Sequence, residues 1–145
     1  MRKYIDDLGI EFEDTPQGWC LDEKEELDGW TSKEKRESIW RQEREKYGFD
    51  SRETWDLAYS FKLWLYERLS MYNEIVQNCI DTRFSEFDYK GRRITLQDGI
   101  DRILEGLKLD LTLDEYDLKR ENKDIKKKID DVMPLFSLCL NALWW

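Results

Sequence analysis

Between Leu57 and Val76 the apolar residues return at every third or fourth position: Leu57, Phe61, Trp64, Leu65, Leu69, Tyr72 and Val76. That period gathers them on one face of a helix. Tyr59, Leu63 and Tyr66 add a second arc, so the apolar surface wraps much of the helix. A helix with that distribution belongs at the centre of a fold. The spacing predicts a core helix from about Ser51 to Asn78. Asp50 and Glu53 form a D-x-x-E pattern at its start, the spacing of a capping box. The same aromatics could be read as a platform for stacked bases, which needs exposed rings beside Lys and Arg. Only Lys62 and Arg68 supply positive charge there, so Trp64 and its neighbours are expected in the core.

Other segments follow from the same reasoning. Residues 32–47 read as a surface helix with a thin stripe of Ile39, Trp40 and Tyr47, Ser32 as its N-cap and Gly48 at its end. FDYKGRRIT, 87–95, reads as a hairpin that turns at Lys90-Gly91 and sets Ile94 opposite Phe87. Thr95 and Asp98 then cap a helix striped by Ile100, Ile103, Leu104, Leu107 and Leu111. Gly99 and Gly106 would weaken it by about 1 kcal/mol each relative to Ala unless packing needs them. A last helix is expected from about Lys123 to Ala142, striped by Ile125, Ile129, Val132, Met133, Phe136, Leu140 and Leu143. Pro134 should kink it. Before residue 32 no period is sustained, although IEFE, 10–13, alternates as a short strand would.

The expected fold is therefore mainly α: a compact helical bundle of about four helices, a small β-hairpin and an irregular acidic N-terminal arm. Residues 1–31 are the arm and 32–145 the helical domain, one globular domain overall. A chain of 145 residues with 14% aromatics suits such a core.

Charge sharpens the picture of the arm. The net charge is −9, and residues 1–31 hold three bases against ten acids, a net −7. Phosphate backbones would be repelled there, and a basic protein surface attracted. Asp22, Glu23, Glu25, Glu26 and Asp28 are the candidate partner-binding acids, with Trp19 and Trp30 as flanking anchors. The bland reading is that these acids solvate the protein and both Trp dock on its own body.

Catalytic chemistry is sparsely provided. Histidine is absent, and Cys20, Cys79 and Cys139 are dispersed and odd in number. That pattern suits neither a disulfide framework nor a four-thiolate zinc site, and Cys139 reads as a small core residue. No phosphate-binding glycine loop occurs. Asp98/Asp101/Glu105 and Asp110/Asp114/Asp117 are spaced for one helix face each, and read as solvated sides. No cofactor or metal and no enzymatic activity is expected. The start of the chain lacks the apolar stretch of a signal peptide, and the longest apolar run, 132–145, is too short to span a membrane. A reducing cytoplasm is the expected location.

GFDSRETWDLAYSFKLWLYERL, FDYKGRRITLQDGIDRIL and a C-terminal helix ending in LWW together resemble a diffuse group of small proteins encoded by phages and prophages of Gram-positive bacteria. The resemblance covers roughly 48–145. It implies synthesis in the cytoplasm of an infected bacterial host, and carries no activity to any residue. In that setting the leading expectation is a stoichiometric inhibitor of a host defence protein, such as a CRISPR effector or another nuclease. Its acidic arm would occupy a basic cleft as a mimic of nucleic acid. The alternatives are a phage structural or assembly protein that acts through homo-oligomerisation, and a carboxylate–Mg²⁺ enzyme. Direct binding of nucleic acid or membrane is not expected.

Overall fold

The computed structural model describes residues 2–19, 33–79, 81–83, 85–113 and 121–144. It is mainly α with one antiparallel hairpin. Among the described residues the helices are α1 (Lys3–Asp6), α2 (Lys33–Tyr47), α3 (Leu57–Cys79), α4 (Leu96–Thr112), α5 (Lys123–Asp130) and α6 (Val132–Cys139). Strands β1 (Glu86–Tyr89) and β2 (Arg92–Thr95) lie between α3 and α4. Two compact units divide the chain: Met1–Gly9 with Lys62–Trp145, and Ile10–Phe61.

The first unit is organised by α4. Thr95 and Asp98 close a reciprocal capping box, each side chain meeting the other's backbone N–H at 3.1 Å. Ile100, Ile103 and Leu107 are fully buried, while Leu104 and Leu111 are half-buried. Leu65 and Leu69 of α3, Ile94 of β2 and Leu135 of α6 join them in one core. Cys139 joins it too, and burial pushes its thiol pKa up.

Both glycines of α4 sit where helices come close. A Cβ on Gly106 would lie within contact of Val132 Cγ2 and 2.5 Å from the Lys128 carbonyl oxygen. A Cβ on Gly99 would lie 2.7 Å from Cys139 Sγ. Packing therefore needs these glycines, and their absent side chains let α5 and α6 approach α4.

The hairpin has the expected register, Phe87 opposite Ile94. Lys90 and Gly91 both take positive φ, 50° and 75°, as a tight two-residue hairpin turn requires. The turn is tied to the C-terminal helices. Tyr89 Oη and Lys90 Nζ each donate to Asp131 Oδ1 at 2.7 Å.

Several expectations are corrected in this unit. The kink expected from Pro134 in the last helix takes the form of a break at Asp131, three residues earlier, because the proline has no N–H and crowds the preceding turn. On that helix, Met133 and Leu140 are half exposed and Leu135 is buried instead, while Cys139 is buried as expected. Trp64 of α3 is 43% exposed. The beginning of the arm is not irregular: α1 buries Ile5, and Arg2 and Lys3 pair with Glu67 and Glu74 of α3 at 2.6 and 2.8 Å.

In the second unit, α2 ends at Gly48, which has φ 82°. The expected capping box at Asp50 and Glu53 does not form. Asp50 accepts from the Arg52 N–H and starts a 3₁₀ turn, Ser51–Thr54, while Glu53 accepts from Gln17. Helix α3 begins six residues later than expected, with Asp56 accepting from Tyr59 N–H. Residues 10–13 form no strand, since Phe12–Asp14 is a 3₁₀ turn. Trp40 is buried, while Tyr47, Phe49, Trp55 and Leu57 are exposed.

Candidate interaction surface

Of the residues singled out for partner binding, Trp19 is the one the structure describes. Asp22, Glu23, Glu25, Glu26, Asp28 and Trp30 lie outside the described residues, as do Cys20, Asp114 and Asp117. Trp19 is the last described residue before the acidic stretch, and its position in the second unit is built from below.

The base of that position is Asp50, which is 1% exposed. A bare buried carboxylate would be costly, and three groups neutralise it. Arg52 meets it through Nε at 3.0 Å and Nη2 at 2.8 Å, a two-pronged charge-assisted contact. Arg44 Nη1 also donates to Oδ2, and the Arg52 backbone N–H to Oδ1. Burial pushes the Asp50 pKa up, but Arg52 and Arg44 outweigh it and hold the carboxyl below its ordinary value. The Arg52 guanidinium lies 4.2 Å from the centroid of the Trp40 ring, so cation–π attraction fixes its plane.

Arg52 then reaches along the chain. Its Nη1 donates to the carbonyl oxygens of Gln17 at 2.5 Å and Trp19 at 3.2 Å. One guanidinium thus joins the buried carboxylate to the backbone at the root of the acidic stretch. The Trp19 ring is half-buried and stacks on Trp55 and Tyr59, with centroids 6.1 and 5.9 Å away. Trp40 meets Trp55 edge-on at 6.2 Å. Sequence spacing did not reveal Arg52. The D-x-R step at 50–52 is a local signal for it, but the carbonyls it holds are 33 and 35 residues away.

Around this anchor the second unit is acidic and rich in exposed apolar side chains. Residues 10–61 carry eight bases and fifteen acids, a net −7. Phe12, Tyr47, Phe49, Trp55 and Leu57 are each 40% exposed or more. Acidic charge beside accessible aromatics suits a protein surface that is basic and partly apolar.

The carboxylates of the first unit have other occupations. Asp98 caps α4, Asp101 accepts from Gln97, Glu105 pairs with Lys128 and Asp110 with Lys62. Among the described residues no three groups are placed to hold a metal ion. An open cleft of about 590 Å³ is lined by Asn78, Cys79, Asp81, Thr82, Arg83 and Gln97 among others. Its ionic groups bind each other: Arg83 forks onto Asp81 at 2.7 and 2.8 Å, and that hydrogen bonding holds the Asp81 carboxyl down at about 2. No described helix is long and apolar enough to cross a membrane. No family model matches the chain, and no curated protein or solved structure matches it.

Proposed function

We propose that this chain is a phage-encoded binding protein that inhibits a host defence protein stoichiometrically, its acidic segment standing in for nucleic acid in a basic cleft. The observation that carries the reading is the concentration of charge: ten of the first 31 residues are acids, against three bases. The clamp of Arg52 on Gln17 and Trp19 supports it, because it fixes the root of that segment; the Trp19 ring itself rests on Trp55 and Tyr59 of its own body, as the bland reading expects. A charged segment with a fixed root loses less freedom on binding than one without. The context of an infected bacterial cytoplasm comes from the resemblance to phage and prophage proteins.

The test starts with the full chain as bait in a lysate of an infectable host. Binding to the captured protein is then measured against salt, with Asp22, Glu23, Glu25, Glu26 and Asp28 converted to their amides in a parallel variant. Exposed charges are screened within about 8 Å at 0.15 M salt. Wild-type association should therefore slow steeply with salt, and the variant should associate slowly at every salt. A variant that binds as fast as wild type throughout would refute the mimicry.

A further inference from the structure

From Lys62 onward α3 has two unlike sides. Leu65, Leu69 and Val76 point into the protein and are at most 3% exposed. Trp64, Arg68, Met71 and Ile75 follow one another at steps of four, three and four, the spacing of a seam between two paired helices. Trp64 is 43% and Met71 52% exposed, and the Arg68 side chain is 57% exposed. The Arg68 guanidinium lies 4.7 Å from the Trp64 ring centroid. Tyr72, next to Met71, donates its hydroxyl to the Trp144 carbonyl oxygen at 3.0 Å. That bond brings Trp144, which is 67% exposed, to the border of the same face.

Tryptophan, arginine and methionine are the residues enriched where proteins meet. A fully exposed Trp presents about 250 Å², and the other side chains somewhat less. At the exposures above, Trp64, Arg68, Met71 and Trp144 together offer roughly 500 Å² of contact surface, its apolar part within the range of the largest apolar patch on an ordinary monomer. Two such faces pressed together would bury about 1,000 Å², the lower bound for a specific interface.

The chemistry of the face suits a second copy of itself. Set antiparallel about a two-fold axis, the seam brings Trp64 against Ile75 of the partner subunit and Arg68 against Met71 of the partner subunit. Apolar surface then meets apolar surface, and every contact occurs twice. The aliphatic stem of Arg68 covers the methionine while its guanidinium stays over its own Trp64. The net charge of the first unit does not oppose the pairing, and the two copies of Arg68 that come near the axis each keep their own Glu67 at 4.0 Å. The first unit carries sixteen bases and eighteen acids, a net −2. The charges flanking the seam are already paired, Arg2 with Glu67 and Lys62 with Asp110.

We propose that the Trp64–Arg68–Met71–Ile75 face of α3, bordered by Trp144, is a homodimer interface. The proposal stands apart from the inhibitor reading and from any host partner. Sedimentation velocity on the full chain across ~1–100 µM, a range that brackets micromolar Kd values, tests it. The mass should rise from 17.7 kDa towards twice that value. Met71→Lys should weaken the dimer at least tenfold in Kd, and Trp64→Glu should abolish it. Circular dichroism of each variant at low concentration checks that the fold persists. Should Trp64→Glu fail to fold, Met71→Lys and Arg68→Glu carry the test, since both residues are exposed. A wild type that stays monomeric at ~100 µM overturns the proposal, as does a dimer that Met71→Lys and Arg68→Glu leave unchanged.

Discussion

Replacing Gly106 by alanine gives opposite outcomes under two readings of α4. If the glycine were merely tolerated, alanine would stabilise the helix by about 1 kcal/mol, the ordinary difference in propensity. The structure predicts the reverse. The new methyl group would sit 2.5 Å from the Lys128 carbonyl oxygen and closer still to Val132 Cγ2. Valine can turn, but the oxygen belongs to the backbone of α5 and cannot. Relief requires α5 and α6 to move off α4, which loosens Val132 and Leu135 in the core. Overpacking of this kind costs about 1–3 kcal/mol, and an obstacle made of backbone belongs at the upper end. After the gain in propensity, a net loss of about 2 kcal/mol remains. Urea unfolding followed by far-ultraviolet circular dichroism should show a midpoint lowered by about 1 M at unchanged slope, for a slope of about 2 kcal/mol/M. A midpoint equal to wild type or higher would refute the close approach. Gly99 supplies a second check, because its obstacle is a side chain. Gly99→Ala should be destabilising alone and largely rescued by Cys139→Ala, with a coupling of about 1 kcal/mol in the double-mutant cycle.

Two further predictions concern buried charge. Asp50→Ala leaves Arg52 buried without its carboxylate, and should destabilise the second unit by about 3 kcal/mol, read as a lower thermal midpoint and altered tryptophan fluorescence from Trp19, Trp40 and Trp55. An unchanged midpoint would mean that Arg52 is held by other groups. Asp50 and Asp131 both titrate below their ordinary value. The unfolded value is about 3.9, so their stabilisation is complete above about pH 5 and disappears as the pH falls through the folded values. The urea midpoint should drop across that acid window, and Asp131→Asn should flatten the drop; an equally steep drop in the variant would exclude Asp131 as a source.

Local chemistry was legible in the residues themselves. Thr95 with Asp98, Lys90 with Gly91, and the Ile100–Ile103–Leu107 stripe depend on neighbours a few positions away, and each appears as expected. What depended on distant partners was not legible. The carboxylate of Asp50 could have capped a helix, but Arg52 and Arg44 claim it and the helix starts later. Trp64 shares the packing period of Leu65 and Leu69, yet period alone does not say which arc meets the rest of the chain. Met133 and Leu140 lost their expected places to Leu135, while Cys139 is in the core as its place in the apolar run suggests. Gly99 and Gly106 were legible only as a conditional cost. For the candidate surface, the charge of the acidic stretch was legible, and the clamp that fixes Trp19 was not.

Arg2 and Lys3 have a further consequence in the order of synthesis. Their partners, Glu67 and Glu74, lie 65 and 71 residues further along the chain. A four-residue helix such as α1 has no stability of its own in water. At about 5–20 residues per second, the ribosome takes roughly 3–14 seconds to supply the residues that α1 needs. Meanwhile Gln17, Asp50 and Arg52 already have one another within a short stretch of new chain. The second unit can therefore condense while the first is still being made, and α1 is fixed in place only once α3 has followed it.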